Sequence, residues 1–184
     1  MRFRPGNSRD LDFLKEMLFE AFFWDASTKR PDFGSFRNTA EFSELLAGWE
    51  RRGDRSIIAE ENGTRIGAAW FRLWTQELHS YGFVDDATPE IAMAVRRDYR
   101  SKGVGRRLLD ALVETARADG VPALSLSVSP LNFAHQLYES AGFRKVGESG
   151  TSWTLLLSLS SPSSPPTEPP SRPCKKAEVA SQRP

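Results

Sequence analysis

The chain has 184 residues, of which 39% are hydrophobic and 27% are charged, and its formal net charge is +1 at pH 7. This composition predicts a globular domain with an apolar core. The near-neutral balance lacks the cation excess that sequence-independent binding to nucleic acid requires, so no nucleic-acid partner is expected. No run of about twenty apolar residues is present and no apolar leader follows Met1, so a cytoplasmic protein outside the membrane is expected.

Cysteine and histidine, the residues that form disulfides and bind metals, are scarce in this chain. The chain has one cysteine, Cys174, and two histidines, His79 and His135, so neither a disulfide within the chain nor a metal site is expected. Seven of the twelve prolines fall between residues 162 and 184. We therefore predict a domain over residues 1–158 and a disordered Pro/Ser-rich tail over 159–184, in which Cys174 is an exposed bystander.

The N-terminal half predicts two helices. Asn7 or Ser8 can cap the first helix, whose apolar residues recur at helical spacing as far as Phe22. Asn38 and Glu41 form the start of a capping box, which predicts a second helix after Asn38.

A hairpin and then an alternating strand follow these helices. The turn 61–64 contains Asn-Gly, which predicts a hairpin between strands over 56–60 and 65–74. From Glu90 to Val95, larger apolar residues alternate with alanines, which predicts another strand.

Helical periodicity starts soon after that strand. It predicts a helix from Gly105 that closes at Gly120, and the apolar alternation over 124–128 predicts a further strand. A strand, a helix and a strand at this spacing imply a right-handed crossover and two parallel neighbouring strands.

The turn between that strand and that helix, Arg100 to Gly105, is the most informative stretch of the chain. Two nearby glycines and a helix N-terminus place backbone N–H donors where a pyrophosphate can bind. The turn differs from a nucleotide P-loop, because Lys102 precedes its glycine, and it lacks the third glycine of a dinucleotide fingerprint. One acid, Asp98, accompanies six cations: Arg96, Arg97, Arg100, Lys102, Arg106 and Arg107.

A second motif occurs further along the chain. Residues Asn132 to Ser140 predict a short helix with Asn132 as its cap and Gly142 as the left-handed residue after its end, with a strand entered at Phe143. From these residues alone, structural roles are the expected ones, a core aromatic for Tyr138 and a plain cap for Asn132.

The two motifs together resemble the GNAT superfamily of N-acetyltransferases. The resemblance rests on Arg100-x-x-Gly103-x-Gly105 and on Asn132, Ala134, Tyr138, Gly142 and Phe143 in the same order, and it extends over about residues 1–157. It implies an α/β (α+β) fold with a mixed, mostly antiparallel central sheet flanked by helices. The parallel strand-helix-strand unit is then expected to bind the cofactor.

The resemblance also implies the site residues. Glu90 is expected to be the general base, although its position equally suits a solvated charge at a strand end, and Tyr138 the general acid. A backbone N–H of Met93 or its neighbour is expected to face the thioester carbonyl. The residues expected to bind acetyl-coenzyme A are Met93, Ala94, Val95, Arg100, Ser101, Lys102, Gly103, Val104, Gly105, Arg106, Asn132, Ala134 and Tyr138.

The implied activity is direct transfer of an acetyl group from acetyl-coenzyme A to a primary amine, first of all that of a small molecule. An amine of a protein or peptide, a longer acyl donor and an acyl-coenzyme A sensor without turnover remain alternatives. No metal is implied, and a homodimer is compatible with the resemblance. The acceptor is expected to contact loops over Trp24 to Arg37 and Thr75 to Thr88, where acids could attract a cationic amine.

Overall fold

The computed structural model describes residues 1–159, so the predicted tail lies, from residue 160 onward, outside the described residues, as does Cys174. Seven strands and five helices follow one another along residues 1–159. Their order is β1 (Arg2–Pro5), α1 (Leu11–Phe22), α2 (Phe33–Phe36), α3 (Ala40–Leu45), β2 (Arg55–Glu61), β3 (Thr64–Arg72), β4 (Glu90–Val95), α4 (Val104–Ala118), β5 (Ala123–Val128), α5 (Ala134–Ser140), β6 (Arg144–Ser149) and β7 (Ser152–Ser158).

The seven strands form one sheet in the order β1-β2-β3-β4-β5-β7-β6. Strands β4 and β5 are parallel, whereas every other neighbouring pair in this sheet is antiparallel. The predicted mixed sheet with a parallel strand-helix-strand unit is therefore confirmed. The β4–β5 ladder pairs Glu90 with Ser125 at the start of β4, and the two strands separate beyond that point.

Helices cover both faces of the sheet. Ile91 of β4 packs in the core under α4 with Leu108 and Leu112, whereas Ala94 packs with Phe13 of α1 on the opposite face. Because successive side chains of a strand alternate between faces, Glu90 and Ala92 lie on the α1 face with Ala94. The parallel partner Ser125 lies on that same face, since its neighbours Leu124 and Leu126 belong to the α4 core.

The hairpin forms at the predicted turn. Asn62 and Gly63 have φ values of 49° and 77°, as a two-residue turn between twisted strands requires. Strand β3 ends at Arg72, two residues before the predicted end at Trp74.

The boundaries of the helices near the motifs differ slightly from the prediction. Helix α4 begins at Val104 instead of Gly105, because Gly103, with φ 77°, occupies the N-cap position. Helix α5 begins at Ala134, so Asn132 is not its N-cap residue, although Asn132 Oδ1 accepts a hydrogen bond from Ala134 N at 3.0 Å. Gly142 has the predicted left-handed conformation, and the next strand starts at Arg144, one residue after Phe143.

The N-terminal helices show one correct cap and one wrong one. Asn7 forms a capping box with Asp10, but on a short 3-10 turn that leads into α1. The predicted capping box at Asn38 is wrong, because Thr39 holds the N-cap position of α3 and Asn38 Nδ2 donates to Gly34 O at 3.0 Å. In residues 1–159 no helix combines the length and the apolar character needed to cross a membrane.

Candidate active site

A cavity of about 820 Å³ opens where β4 and β5 separate. Its walls come from α1, the end of β3, the whole of β4, the end of β5, the turn before α4, and α5. Ten of the predicted site residues line it, namely Glu90, Met93, Ala94, Val95, Arg100, Ser101, Gly105, Asn132, Ala134 and Tyr138. The other four, Lys102, Gly103, Val104 and Arg106, belong to the turn and to the first helical turn of α4, outside the lining.

Glu90 begins β4 and turns its carboxylate towards the α1 face at one side of the cavity. Its Oε1 accepts a hydrogen bond from Gly82 N at 2.9 Å, while Oε2 has no hydrogen-bond partner within residues 1–159. Burial raises the pKa of Glu90 to about 7, against the opposing effects of the Gly82 amide, the Ser80 hydroxyl and His79. Glu90 is therefore a carboxylate that exchanges a proton near neutral pH, which is the property of a general base.

Tyr138 lies on α5 with only 7% of its surface exposed, and its ring meets that of Phe143 with the centroids 5.8 Å apart. Burial raises the pKa of Tyr138 to about 12. The phenol therefore keeps its proton at neutral pH, so it can donate a proton to a group placed next to it.

The edge of β4 that faces the separation from β5 carries free backbone donors. Arg96 N donates to Ile66 O on the β3 side at 2.9 Å. Because N–H groups point alternately to the two sides of a strand, the N–H groups of Met93 and Val95 point towards β5. They face the gap, since the recorded β4–β5 pairing lies at Glu90.

The turn before α4 exposes a run of backbone amides. The amides of residues 101–106 donate no hydrogen bond within residues 1–159. The next amide along the chain, Arg107 N, donates to Gly103 O at 3.2 Å. Ser101 and Gly103 have positive φ values of 59° and 77°, which curve the turn around the helix N-terminus. Consecutive free N–H groups and the positive end of the helix dipole suit a phosphate or pyrophosphate.

Gly105 lies at the floor of this turn. A Cβ at Gly105 would contact Met93 Cε at 3.4 Å and Leu137 Cδ2 at 3.6 Å, which is ordinary van der Waals distance. The cavity therefore reaches the backbone of Gly105, and a side chain larger than a methyl group would fill the space there.

The predicted cluster of cations is largely engaged by the protein. Arg100 donates from Nε to Val95 O at 3.0 Å and from Nη1 to Trp24 O at 3.3 Å, and its Nη2 lies 3.1 Å from Glu20 Oε2. Arg106 donates to Ser140 Oγ at 2.7 Å. Lys102 lies over the ring of Tyr99. The side chain of Arg100 thus joins the turn to α1, and the anion-binding donors of this region are chiefly the backbone amides.

Val104 is a predicted cofactor-binding residue whose side chain cannot contact a ligand. It is 1% exposed and packs in the core under α4, so only its backbone amide can reach a ligand.

Three residues near Glu90 were not found from the sequence. Arg72, directly across the β3–β4 register from Glu90, lines the cavity and forms a buried ion pair with Asp54. A charged residue inside the apolar stretch 66–74 was a signal that could have revealed it. Ser125 is buried beside Glu90.

Gly82 is the third of these residues. It passes so close to β5 that a Cβ would lie 2.5 Å from the carbonyl carbon of Leu126 and 2.6 Å from Ser127 N. The segment that holds Glu90 is thereby pressed against the sheet. No local sequence pattern indicated this contact, because the two segments lie more than forty residues apart.

The two predicted acceptor loops reach the cavity only in part. From the first loop Trp24, Asp25 and Ala26 line the cavity, whereas residues 33–36 form α2, with Phe33 and Phe36 packed against the core of the α1 face. From the second, Ser80 and Tyr81 line it. The expected acids of that loop, Glu77, Asp85 and Asp86, are absent from the lining, and the lining acids are Glu20, Asp25 and Glu90.

A second cavity, of about 600 Å³, adjoins the first and shares Leu45, Trp74, Ser80 and Tyr81 with it. Glu90 and Tyr138 line the larger cavity only, which makes the larger one the candidate active site. The Tyr81 hydroxyl donates to Glu41 between the two. Within residues 1–159, no group of three or more His, Cys, Asp or Glu side chains is arranged to hold a metal ion.

Comparison with known families assigns the chain. The model of the acetyltransferase (GNAT) family matches residues 13–143, which is more than half of the chain. The chain belongs to the GNAT family of acetyltransferases. The turn before α4, the gap beside β4 and Tyr138 all lie within the matched residues or their immediate surroundings.

Two curated relatives are named as an acetyltransferase and an N-acyltransferase. The mycothiol acetyltransferase of Propionibacterium freudenreichii is 30% identical over 139 residues, which cover 74% of this chain and 41% of that protein. The L-amino acid N-acyltransferase MnaT of Escherichia coli is 33% identical over 110 residues, covering 57% of this chain and 60% of that protein. The chain thus spans less than two thirds of the length of these relatives.

Solved structures share the GNAT fold of this chain. The yncA protein of Salmonella typhimurium, solved with acetyl-coenzyme A, has a TM-score of 0.60 and 24% identity over 90% of this chain and 97% of that one. The PaiA N-acetyltransferase of Thermoplasma acidophilum, solved with coenzyme A, has a TM-score of 0.64 and 16% identity over 86% of this chain and 100% of that one.

Proposed function

We propose that this protein transfers the acetyl group of acetyl-coenzyme A to a primary amine of a small molecule, by direct transfer within a ternary complex. One observation carries the proposal: Glu90 and Tyr138 line the same cavity, next to a turn whose amides are free to bind an anion. When bound, acetyl-coenzyme A supplies an activated acetyl thioester.

The free amides of residues 101–106 fit the pyrophosphate of that donor. They are consecutive donors at a helix N-terminus, and Gly105 leaves the approach to them open. Lys102 and Arg106 add positive charge at the edge of this turn. The backbone edge of Met93 and Val95 suits the pantetheine arm, because its N–H groups point into the gap beside β5.

Glu90 removes the proton from the acceptor. An amine must be neutral to attack a carbonyl carbon, and a carboxylate whose pKa is about 7 is a stronger base than an ordinary glutamate. The hydrogen bond from Gly82 holds the carboxylate in place through Oε1.

Two hydrogen-bond donors act on the acetyl thioester. The N–H of Met93 is placed to stabilise negative charge that develops on the carbonyl oxygen of the acetyl group. Tyr138 gives its proton to the departing thiolate, which completes the exchange of a C–S bond for a C–N bond. Because its pKa is about 12, the phenol acts by position and not by acid strength.

The acceptor side supports a small amine. The cavity is an open cleft of small-molecule size, and three carboxylates line it. Glu20 is paired with Arg30 and Arg100, which leaves Asp25 and Glu90 to face a cationic amine. Both lining cations are already paired, Arg72 with Asp54 and Arg100 with Glu20. Several relatives are named for small acceptors, mycothiol and L-amino acids among them.

Thiol release from acetyl-coenzyme A tests the proposal, measured over small amines, amino acids, polyamines, aminoglycosides and short peptides, with calorimetry of cofactor binding alongside. Release that depends on a small amine supports the proposal. Release with peptides alone would transfer the activity to a protein or peptide amine. Binding without release over the whole panel would favour an acyl-coenzyme A sensor, and no binding would contradict the assignment of the turn.

A further inference from the structure

Two buried oxygen atoms without hydrogen-bond partners belong to residues that are paired across the β4–β5 ladder. Within residues 1–159, Glu90 Oε2 and Ser125 Oγ are the two buried side-chain nitrogen or oxygen atoms for which the structure shows no hydrogen bond. Unpartnered buried polar atoms are rare, because each loses its bonds to water without a replacement. Their occurrence at one place points to a shared role.

The sheet places these two residues together. Glu90 and Ser125 are register partners in the parallel β4–β5 ladder, and Ser125 N donates to Pro89 O at 3.0 Å. Both side chains project from the α1 face, and adjacent strands lie about 4.8 Å apart. The two oxygens are not hydrogen-bonded to each other in this structure, and a rotation about χ1 of Ser125 is the movement that would join them.

The chemistry of a hydroxyl suits a carboxyl group that gains and loses a proton. The amide of Gly82 can only donate, so it favours the ionised form of Glu90. A serine hydroxyl can donate to a carboxylate and can accept from a carboxylic acid by turning its hydrogen.

We propose that Ser125 is a positioning residue for Glu90: its hydroxyl donates to Oε2 of the carboxylate and accepts from the same oxygen once Glu90 has taken a proton. The inference rests on the role of Glu90 in the proposed function. Ser125 itself is completely buried and does not line the cavity, so it does not contact the amine substrate. Its effect is to keep Glu90 hydrogen-bonded in both protonation states and aimed into the cavity.

Other groups around Glu90 also influence its pKa, and their effects must be distinguished from that of Ser125. Arg72 faces it from β3 with its charge paired to Asp54. The Ser80 hydroxyl and His79, both in the loop before β4, lower the pKa of Glu90, and Tyr81 of that loop interacts with Glu90 electrostatically. From β5 the residue opposite Glu90 is Ser125.

The test is a titration of Glu90 that needs no substrate. Protein labelled with ¹³C at the glutamate side-chain carboxyl is followed by NMR from pH 4 to 9, and the Glu90 signal is assigned by its loss in Glu90→Gln. We expect Ser125→Ala to raise the pKa of Glu90 by about one unit, because the hydrogen bond that is lost is stronger to the charged carboxylate than to the neutral acid. Ser125→Cys, which keeps the branching of the side chain and a weaker donor on a somewhat larger atom, should give a smaller rise in the same direction.

The matched control is Ser56→Ala, since Ser56 is a buried serine on β2, two strands away from β4. Its removal should leave the pKa of Glu90 unchanged. A Glu90 pKa that is the same in Ser125→Ala and wild type would overturn the proposal. Should Ser125→Ala fail to fold, as seen by near-ultraviolet circular dichroism, the same comparison is decided by Ser125→Cys.

A double-mutant cycle supplies the catalytic readout. With an accepted amine, Ser125→Ala should lower kcat about tenfold, leave the KM for acetyl-coenzyme A unchanged, and have no further effect in the Glu90→Gln background. An equal loss in both backgrounds would show that Ser125 acts independently of Glu90. Because the NMR titration needs no turnover, it remains decisive even where no amine is acetylated.

Discussion

Asp54 and Arg72 form a bidentate ion pair in which both side chains are 2% exposed. Asp54 Oδ1 accepts from Arg72 Nε at 3.1 Å, and Oδ2 accepts from Nη2 at 2.8 Å. Arg72 Nη1 also donates to Leu45 O at 3.0 Å, and the rings of Trp49 and Trp74 flank the guanidinium. The pair joins the end of β3 to α3 and to the segment before β2, immediately across the sheet register from Glu90.

Asp54→Asn should therefore destabilise the protein strongly, because it leaves the buried guanidinium without a countercharge. The expected loss of unfolding free energy is about 3 to 5 kcal/mol, measured by urea denaturation. Asp12→Asn is the control, since that acid is 81% exposed and its loss should change stability by less than about 0.5 kcal/mol. A similar small effect at both positions would contradict the importance of the buried pair.

Glu90→Gln should remove the base of the proposed reaction. We expect kcat to fall by about 100-fold. In the wild type, kcat/KM for the amine should rise with pH through an apparent pKa near 7, since only ionised Glu90 accepts a proton, and this limb should vanish in the variant. His79→Gln is the matched control, and loss of the limb in that variant with its retention in Glu90→Gln would transfer the role to the histidine.

The same residue should make stability depend on pH. The pKa of Glu90 rises from 4.5 to about 7 on folding, so the folded protein binds the proton more tightly. This contribution is complete below pH 4.5 and is lost as the pH rises through 7. The stability of Glu90→Gln relative to wild type should therefore increase by about 3 kcal/mol between pH 4.5 and 8 in urea titrations. A constant difference would mean that the carboxyl is not held in a desolvating site.

Tyr138→Phe should lower kcat while leaving acetyl-coenzyme A affinity nearly unchanged. The phenylalanine keeps the ring that packs on Phe143 and removes only the proton donor. A loss of about 10-fold to 100-fold in kcat is expected, with the dissociation constant measured by calorimetry. Unchanged turnover at saturating substrates would assign Tyr138 to the core alone.

Valine substitutions at the two glycines of the turn should weaken acetyl-coenzyme A binding for different reasons. Gly103→Val forces a β-branched residue to a φ of 77°, and Gly105→Val pushes its γ-carbons towards Met93 and Leu137. Each should weaken acetyl-coenzyme A binding by about tenfold or more, while Lys102→Ala should cost less than about threefold. Gly105→Ala is the steric control, because its Cβ makes only ordinary contacts. Equal losses in Lys102→Ala and the two valine variants would contradict a backbone cradle.

The sequence was most informative where the fold depends on local patterns. Alternation over 90–95, the glycines at 103 and 142 and the Asn-Gly turn at 62–63 each reflect a backbone requirement that neighbouring residues reveal. The family motifs then predicted ten residues that line one cavity. The contacts missed from sequence are long-range ones: Arg72 with Asp54, Arg100 with Trp24 and Glu20, and Glu90 with Ser125. Such pairs depend on strand order and register, which no single segment encodes.

At Asn38 the sequence contains a capping-box pattern that the structure does not use. Its spacing to Glu41 fits a capping box, yet the side chain bonds back to Gly34 at the end of α2. The short helix α2 just upstream presents the Gly34 carbonyl to the Asn38 side chain, and a helix of four residues is too short to show a periodic pattern in the sequence.

Gly82 limits how the acceptor side of this protein can change over evolution. Any side chain there would overlap the backbone of β5, and its amide holds Glu90. Residues on either side of it can be exchanged to suit a different amine, whereas position 82 cannot vary without displacing the base. We expect orthologues with different acceptors to diverge throughout residues 75–88 but to retain glycine at this one point, so that new specificities arise around an invariant anchor.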